Sequence, residues 1–520
     1  MRISGRKSFA YVGSAILVML LLLCFFVAEV HATVEFTQTY SFGAVAQARS
    51  MCQTNDGGYL LVGQTQSTTS SPTQALVIRV NSAGIMIWNK TFGGTNTSLL
   101  LAVAQTADLG FALAGTLNIT NEEFWLFKID SSGNVLWEKT FGGANDEELY
   151  AMTLTNDGGY LLTGWTTSFG SQGQDLWMVK TYGNGTEQWN RRYGTPGNDC
   201  GFGIVQTADG GYALTGQTNN SYCWLVKTDS SGLMQWNRTL GSDQLVTRGQ
   251  KLVQTDDLGY AICGFANASL NSNYDFYFAK TNSSGNLQWS RTYGWANAEF
   301  GRTIVKTNDG GYALAGYTES NSSGPQDAWF LKIDPDGDPQ WAHILGGTGT
   351  DITNSLIRTT DGGFALAGSS SSYNPTRSFY LVKLASSPNF SLTTNSATVP
   401  VDQLINLTGT LAVPKTGTVT LEWSIGSSGF LYHSNETISN GVFSRNFGFG
   451  QTGTWQFRVN WPGDAATSPA TSNAVTVTVN PLIPELPPSA VLSLLVAFAL
   501  LISTLCKKIS KSNLSVSRSS

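Results

Sequence analysis

The chain has few of the residues from which catalytic and metal sites are built. Only three histidines occur among 520 residues, and charged residues make up 12% of the chain. His343 and His433 lie far apart in the sequence, and His31 belongs to an N-terminal segment that we expect to be removed. A histidine-based zinc site or a Ser-His-Asp triad is therefore a poor hypothesis. The net charge of −5 also gives no reason to expect nucleic acid as a partner.

Cysteine is scarce as well. Two of the six cysteines lie in apolar terminal segments, and Cys52, Cys200, Cys223 and Cys263 remain in the body of the chain. Four cysteines with such wide spacing do not make a disulfide scaffold. Cys200 and Cys223 belong to the same sequence repeat, so they either form a disulfide or lie as separate buried thiols on strands.

Two apolar segments delimit the chain. A basic N-terminus precedes an apolar run that closes on Val30-His31-Ala32, so we expect residues 1–32 to be a signal peptide. Near the other end, residues 489–506 are uncharged and long enough to cross a bilayer as a helix. The lysines of the tail, residues 507–520, predict a cytoplasmic C-terminus. A cleaved tail is the alternative to a permanent anchor, and in both cases we expect the body of the chain to be exported.

The exported body is rich in potential glycosylation sites. Twelve Asn-X-Ser/Thr sequons lie between the two apolar segments. Sequons are frequent by chance in a chain rich in Asn, Ser and Thr, but on a surface protein we expect some to carry glycans. The candidate sites are Asn89, Asn118, Asn237, Asn406 and Asn435.

A seven-fold repeat occupies most of the body. A period near 50 residues, rich in glycine and aromatic residues, indicates a radial β array. Each copy contains four short strand-like segments joined by Asp-Gly and Ser-Gly turns, and such a sheet must stack against neighbours to bury both faces. We therefore predict an all-β fold with a seven-bladed β-propeller of four-stranded blades over residues 33–386. The turn aromatic of the repeat falls at Tyr59, Phe111, Tyr160, Tyr212, Tyr260, Tyr312 and Phe364.

The seventh copy lacks its fourth strand. It ends its third strand at Phe379–Lys383 and then breaks into Ala385-Ser386-Ser387-Pro388. The segment Phe36–Tyr40, at the start of the mature chain, matches the fourth strand Trp137–Phe141 in spacing and character. We predict that Phe36–Tyr40 completes the last blade and closes the ring. Six copies carry a fourth-strand tryptophan that is suited to packing between blades: Trp88, Trp137, Trp189, Trp236, Trp289 and Trp341.

Two charged positions recur in all seven copies. An Asp stands three residues before the turn aromatic, and a Lys or Arg ends every third strand. Features shared by all blades usually hold a ring together, whereas catalytic sites break its symmetry. We therefore predict struts between these acids and bases that join strands or blades. The acid and the base of the seven copies, in order, are Asp56 and Arg79, Asp108 and Lys128, Asp157 and Lys180, Asp209 and Lys227, Asp257 and Lys280, Asp309 and Lys332, and Asp361 and Lys383.

The repeat resembles known propeller families. The segment Lys128-x-Asp-x-Ser-Gly-Asn-x-x-Trp137 resembles the tryptophan-docking repeat of quinoprotein and PQQ-like propellers. The longer pattern, with Thr-x-Asp-Gly-Gly-Tyr, Gly-x-Thr, Trp-x-x-Lys and Trp-x-x-x-Tyr-Gly-Gly, resembles tandem-repeat propellers of prokaryotic, especially archaeal, cell-surface proteins over about Val34–Lys383. Members of such families are described as quinoprotein-like or endoglucanase-like. The adjacent cysteine pair typical of quinoprotein dehydrogenases is absent.

A different region begins after the repeats. Strand-like segments such as Gly417–Trp423 and Gly453–Val459 predict one β-sandwich over residues 388–480. The segment Trp455–Gly463 with the final strand resembles the immunoglobulin-like modules of prokaryotic surface proteins, without the Cys…Trp…Cys core of antibody domains. The Pro-rich residues 481–488 then predict an extended stalk before the membrane segment.

One position varies among the repeats in a way that concerns function. It lies six residues after the end of each fourth strand, in the connection to the innermost strand, where side chains can line the mouth of a central channel. Four acids there would hold a cation such as calcium, or a basic or hydroxylated ligand. The alternative is that they cap the inner strand and stay solvated. The candidate ligand-binding residues are Glu147, Asp199, Glu299 and Asp351, with Ala46, Ser98 and Val246 in the other copies.

The sequence favours binding over catalysis. A glycosidase needs two carboxylates facing across one bond, but adjacent residues such as Glu147 and Glu148 point to opposite faces of a strand. We therefore expect a non-enzymatic, membrane-anchored surface protein that binds an extracellular glycan or protein, with no cofactor other than a divalent cation such as calcium. The variable loops Ser168–Gln174 and Glu319–Gln326 are further contact candidates. An extracellular glycoside-hydrolase-like enzyme, with its site at the propeller mouth, is the alternative.

Overall fold

The computed structural model describes the chain from Val34 to Asn480 apart from short gaps. All regular secondary structure in these residues is β-strand. The expected signal peptide, Pro-rich stalk, membrane segment and basic tail lie outside the described residues, and within them no helix is long and apolar enough to span a bilayer. The gaps fall at residues 170–172, 220–221, 242–245, 268–272, 375, 386–389, 397, 402, 412–415, 426–430, 440–441, 450, 462–469 and 472–474.

Two compact units divide the chain near Ser387. The described part of the first unit consists of seven antiparallel sheets of four strands. Its strands are β1 Val34–Tyr40, β2 Val45–Gln53, β3 Tyr59–Gln66, β4 Gln74–Val80, β5 Met86–Phe92, β6 Thr97–Gln105, β7 Phe111–Asn118, β8 Glu122–Ile129, β9 Val135–Phe141, β10 Glu147–Leu154, β11 Tyr160–Thr166, β12 Asp175–Thr181, β13 Glu187–Tyr193, β14 Cys200–Gln206, β15 Tyr212–Thr218, β16 Tyr222–Thr228, β17 Met234–Leu240, β18 Val246–Gln254, β19 Tyr260–Asn267, β20 Tyr274–Thr281, β21 Leu287–Tyr293, β22 Glu299–Lys306, β23 Tyr312–Thr318, β24 Asp327–Ile333, β25 Pro339–Leu345, β26 Asp351–Arg358, β27 Phe364–Ser370 and β28 Ser378–Leu384.

Six of the sheets follow chain order and the seventh does not. Sheets one to six are β2–β5, β6–β9, β10–β13, β14–β17, β18–β21 and β22–β25. Sheet seven has the order β1-β28-β27-β26, with Phe36 opposite Lys383 and Tyr40 opposite Phe379. The predicted exchange is therefore confirmed, because the first strand of the body is the outer strand of the last sheet.

The innermost strands join each sheet to the next. These strands are β2, β6, β10, β14, β18, β22 and β26, and each contacts its successor, including β26 with β2. Gln105, at the end of β6, accepts a hydrogen bond of 2.9 Å from the Asn55 amide in the turn of sheet one. Gln53 of sheet one accepts the equivalent bond, 2.8 Å, from the Thr360 amide of sheet seven. The contacts therefore return to their starting point, and the sheets have a propeller-like arrangement.

The fourth-strand tryptophans pack between neighbouring sheets, as predicted. Trp137 of sheet two lies against the turn of sheet three at Gly185, where a Cβ atom would come within 2.5 Å of the indole. Gly185 also has a φ of +80°, so the turn requires glycine for two independent reasons. At Gly84 of sheet one, the ring of Phe36 takes the place of the tryptophan. Strand β1 thus supplies both a missing strand and a missing aromatic residue.

Each pair of neighbouring sheets shares a hydrophobic core. Between sheets two and three, the rings of Phe124 and Trp177 meet at 4.7 Å. They are buried together with Leu126, Leu149 and Leu162. Full burial of a side chain of this size contributes about 1.5–3 kcal/mol. The cores lie between the sheets, so the innermost strands are left to line the centre.

All seven predicted struts are present, each within one sheet. Lys180 Nζ lies 2.9 Å from Asp157 Oδ2 and donates a 2.8 Å hydrogen bond to the carbonyl of Thr181. Buried ammonium groups need such partners because desolvation of an isolated charge is costly. The same pairing joins Arg79 to Asp56, Lys128 to Asp108, Lys227 to Asp209, Lys280 to Asp257, Lys332 to Asp309 and Lys383 to Asp361.

The four cysteines of the body are free thiols. Cys200 and Cys223, which the sequence left as a disulfide or as separate thiols, are both buried and unbridged. Burial raises the pKa of each to about 12, so neither is a reactive thiolate near neutral pH.

The second unit contains two sheets around one core. One sheet has the order β29-β31-β34, and the other has the order β30-β37-β35-β32-β33 with β36 paired to β35. Leu407 and Phe447 from the first sheet and Leu421 and Phe457 from the second belong to the same buried cluster, which is the arrangement of a β-sandwich. The strands are β29 Phe390–Thr394, β30 Thr398–Pro400, β31 Leu404–Leu411, β32 Gly417–Ile425, β33 Leu431–Ile438, β34 Val442–Gly448, β35 Gly453–Trp461, β36 Ala470–Thr471 and β37 Val475–Asn480.

Candidate functional site

The acids predicted at a channel mouth are buried hydrogen-bond acceptors. Glu147 is fully buried, and it accepts hydrogen bonds from the Gly143 amide (2.8 Å) and the Thr166 hydroxyl (2.6 Å). Glu299 is also fully buried and accepts a 3.0 Å bond from the Trp295 amide. In both sheets the carboxylate satisfies a backbone donor of the loop that precedes the innermost strand.

Asp199 and Asp351 are held in the same way. The Thr195 amide donates to Asp199 (2.6 Å) and the Gly347 amide donates to Asp351 (3.0 Å). None of the four acids lines the central cavity described below. In the part of the chain that the structure describes, no group of three His, Cys, Asp or Glu side chains could hold a metal ion. The geometry therefore supports the capping role, with the acids buried instead of solvated.

Sheet five corrects one assignment at this position. Counting along the sequence places Val246 there, but Thr247 occupies it. The Thr247 hydroxyl donates to the Leu240 carbonyl (2.7 Å) and accepts from the Cys223 amide (2.9 Å). The connection before β18 is one residue longer than its counterparts, so a fixed count falls one residue short.

Three of the acids have a second carboxylate beside them, in the pairs Glu299 and Asp275, Asp351 and Asp327, and Asp199 and Asp175. Burial, together with the nearby Glu299, raises the pKa of Asp275 to about 6. Burial, with a smaller effect of Asp351, raises the pKa of Asp327. Gly294 makes room for the first pair, because a Cβ atom there would lie 2.1 Å from Asp275 and 2.5 Å from Glu299. These pairs belong to the packing between a third strand and the next innermost strand.

Every innermost strand contains a β-bulge at the equivalent place. In β10, the pairing with β11 shifts between Leu149 and Ala151, so Tyr150 has no partner. A bulge bends its strand and changes the direction of the extra side chain. We call the seven residues at this place the bulge ring: Arg49, Leu101, Tyr150, Phe202, Gln250, Arg302 and Asn354.

The bulge ring lines a central cavity of about 660 Å³. All seven side chains are half-buried. The volume lies in the usual range of small-molecule sites, roughly 300–1,000 Å³. The ring has two sides, which we call the apolar arc and the polar arc. The apolar arc is Leu101, Tyr150 and Phe202 of sheets two to four, and the polar arc is Gln250, Arg302, Asn354 and Arg49 of sheets five, six, seven and one.

Four cations line this cavity without forming an ion pair with a carboxylate among the described residues. Arg49, Arg248, Lys251 and Arg302 all border it, and none of them takes part in the ion pairs of the described residues. The Nε atoms of Arg49 and Arg302 are buried and lack a hydrogen-bond partner. Burial lowers the pKa of Arg49, and the neighbouring Arg302 and Arg377 lower it further, whereas Glu148 has a smaller opposing effect. No Asp or Glu lines the cavity, so it is positive inside a protein of net charge −5.

Aromatic rings add flat apolar surfaces around the cavity. On the apolar arc, Tyr150 and Phe202 meet edge to face with ring centroids 4.8 Å apart. On the other side, Phe300 stacks on Tyr317 at 4.9 Å, and the Arg302 guanidinium lies 5.6 Å from the Tyr317 ring. This cation–π contact helps to hold the guanidinium in place while leaving its Nε–H unused.

The sequence analysis missed the bulge ring. Its members lie three residues beyond the capping position in every repeat, and they include six residue types in seven copies. The strut positions are uniform, so an alignment of the seven repeats would have singled out this variable position. The bulge that turns these side chains inward depends on pairing with the next strand, which the repeat pattern does not show.

The remaining predicted contact positions are only partly described. Within the loop Glu319–Gln326, the Gln326 amide donates a 2.9 Å hydrogen bond to Glu319, so the loop ends are tied together. The loop Ser168–Gln174 lies partly outside the described residues.

The candidate glycosylation sites differ in accessibility. Asn89, Asn237 and Asn435 are exposed, whereas Asn118 and Asn406 are half-buried. The Asn406 amide already donates a 2.9 Å hydrogen bond to the Ser444 hydroxyl. Exposure of the acceptor amide therefore favours the first three as glycan acceptors.

Known proteins add little to this description. No protein-family model and no curated protein matches the chain. Among solved structures, Sqt1 from Chaetomium thermophilum aligns with a TM-score of 0.42 and 10% identity, covering 67% of this chain and 100% of that one. A β-1,2-mannobiose phosphorylase from Listeria innocua, in complex with mannobiose, aligns with a TM-score of 0.26 and 9% identity, covering 67% and 90%. Neither similarity is high enough to indicate a function for this chain.

Proposed function

We propose that this chain is a membrane-anchored cell-surface protein whose seven sheets form a closed seven-bladed β-propeller that binds an extracellular ligand without catalysis. In this proposal, the signal peptide exports the chain, and the immunoglobulin-like module, the Pro-rich stalk and the C-terminal helix connect the propeller to the membrane. The organisation is that of the prokaryotic surface propellers that the repeat resembles. The ligand is an extracellular glycan or protein segment that enters the central cavity.

The bulge ring is the observation that carries this proposal. The strut positions carry an Asp and a Lys or Arg in every sheet, whereas the bulge ring has six residue types in seven sheets and faces a shared cavity. Arg49 and Arg302 keep buried donors unpaired there, which costs stability. A ligand that supplies the missing acceptors accounts for this arrangement.

The lining of the cavity favours binding over hydrolysis. Glycoside hydrolysis uses two carboxyl groups on either side of the scissile bond. No Asp or Glu lines the cavity. The nearest acid on the same strand as Tyr150 is Glu148, which accepts a 3.1 Å hydrogen bond from the Tyr150 hydroxyl. The cavity therefore has donors and apolar surfaces for recognition and lacks the paired acids for cleavage.

A cavity-filling variant tests the proposal. Ser50 is half-buried in the cavity lining, so Ser50→Trp should abolish retention of the full-length protein on an array of neutral and acidic oligosaccharides. Ser82→Trp, in an exposed turn, is the matched control and should retain binding. Equal retention by both variants would contradict a ligand site in the cavity. Release of reducing ends by the wild type but not by Ser50→Trp would favour the hydrolase alternative.

A further inference from the structure

We infer that the central cavity recognises an acidic saccharide, with its anionic group near Arg49 and Arg302 and its sugar rings against the apolar arc. The inference rests on the proposed function, because it names the class of ligand for the same cavity. The site is the positively charged centre of the ring, which is a different place from the acidic channel mouth predicted from the sequence.

The cations point to an anionic group. Arg49 and Arg302 line the same cavity, and both retain buried, unpaired Nε–H donors. Glu148 offsets only part of the repulsion that Arg49 experiences, so an anion placed among the arginines reduces their repulsion further and accepts their hydrogen bonds. Guanidinium groups bind carboxylates and other planar or tetrahedral oxyanions with two parallel hydrogen bonds. Arg248 and Lys251 extend the positive charge along β18, so more than one anionic group can be bound.

The rest of the lining points to a hydroxylated carbon framework. Gln250 and Asn354 provide amides, and Ser50 and Ser355 provide hydroxyl groups beside the cations. Asn354 uses one amide hydrogen for a 2.9 Å bond to Ala48, which leaves its carbonyl oxygen to accept from a ligand. Hydroxyl and amide groups on one side match the hydroxyls of a sugar.

The opposite side matches the apolar face of a sugar ring. Tyr150 and Phe202 present aromatic surface at the same level as the arginines, and Leu101 continues that surface. A free inorganic anion has no apolar surface to pack against the apolar arc. An acidic peptide would satisfy the cations, but it has few hydroxyls for the serines and amides. The combination of charge, hydroxyl partners and flat apolar surface therefore favours a sugar acid over both.

Binding measurements on the full-length protein in detergent micelles test this inference. The probes are a uronic-acid trisaccharide, the neutral hexose trisaccharide of the same linkage, a sulfated disaccharide, inorganic sulfate and a triglutamate peptide. The uronic-acid or the sulfated probe should bind at least about tenfold more tightly than the neutral one, because charge-assisted hydrogen bonds contribute more than a factor of ten each. The two acidic sugars distinguish a carboxylate ligand from a sulfate ligand.

Two variants and a charge-matched control locate the interaction. Arg302→Gln should remove the preference for the acidic sugar, and Phe202→Ala should weaken acidic and neutral sugars alike. Arg291→Gln makes the same charge change at a partly exposed residue that pairs with Asp338 outside the cavity, and it should leave affinity unchanged.

The outcomes separate the ligand class from the site. Equal affinity for acidic and neutral sugars, still weakened by Phe202→Ala, would overturn the acidic class and keep the cavity as the site. Preferred binding of triglutamate or of sulfate alone would also overturn the saccharide class. Binding that neither variant changes would contradict the proposed function itself.

Discussion

The cations of the struts and the cations of the central cavity differ in whether they form ion pairs. The struts repeat in all seven sheets, and every Lys or Arg among them is paired with its Asp. The cations of the cavity occur in only some sheets and have no carboxylate partner among the described residues. Under the proposed function, the repeated and paired charges serve the stability of the fold, whereas the irregular and unpaired charges of the cavity serve a ligand. The comparison predicts that removing a cation lowers the stability of the protein in a strut but does not lower it in the cavity.

We expect the largest loss of stability from removing β1, because this strand comes from the start of the described chain and completes the last sheet. Deletion of residues 34–40 removes β1 from sheet seven. It also removes the contact of Phe36 with Gly84 and the 2.5 Å hydrogen bond from the Tyr40 hydroxyl to the Gly84 carbonyl. The loss of two large aromatic side chains and a strand should destabilise the protein by at least about 4 kcal/mol. Thermal unfolding followed by circular dichroism measures the change. Deletion of residues 514–520 is the control and should leave the transition in place, and an equal shift in both would contradict closure through β1.

The second effect tests the contact between neighbouring sheets. Gly185→Ala places a methyl group against Trp137 at a φ of +80°, so we expect a loss of about 2–4 kcal/mol. Gly210 has nearly the same φ, +81°, but no atom lies within 4 Å of its Cβ position. Gly210→Ala should therefore lose only about 1 kcal/mol, the cost of the backbone conformation. Similar losses in denaturant unfolding of the two variants would show that the tryptophan contact contributes little.

Much of the framework could be predicted because it is local and repeated. The sequence itself shows the aromatic spacing, the recurring charged positions and the similarity of Phe36–Tyr40 to a fourth strand. The role of Glu147 was harder to predict, because its burial depends on the Gly143 amide turning back onto the carboxylate. The assignment of Val246 failed because one connection is a residue longer than its counterparts.

The cavity could not be predicted for a different reason. In a regular strand, alternate residues face the same side, so the pattern of the innermost strand assigns each residue to one face. The bulge at Tyr150 displaces this alternation by one residue, and a bulge is a property of two paired strands. The sequence contains the variable position but does not show that it faces the centre.

A smaller effect is expected from breaking one strut. Asp157→Asn leaves Lys180, which is 1% exposed, without its carboxylate, and it should cost about 1–2 kcal/mol because Asp157 itself is partly solvated. The hydrogen bonds from Lys180 and Thr155 lower the pKa of Asp157 to about 2 against the opposing effect of burial. Its stabilising contribution is therefore complete above the unfolded pKa near 4 and is lost as the pH falls towards 2. The variant should show a weaker loss of stability over this acid range in melts at pH 2–5, and an unchanged pH profile would contradict the strut.

The smallest effect, and the one with the opposite sign, is expected in the cavity. In the wild type, Arg302 repels Arg49, and its own buried Nε–H is unsatisfied. Arg302→Met removes both unfavourable terms, while the methionine keeps much of the packing against Tyr317. We expect no loss of stability and a gain of up to about 1 kcal/mol, measured by thermal unfolding in the absence of ligand. Lys332→Met, which removes the cation of the strut to Asp309, is the matched control and should destabilise. A loss of stability in Arg302→Met as large as in Lys332→Met would show that the arginine serves the fold, and the distinction between paired and unpaired cations would no longer identify the ligand site.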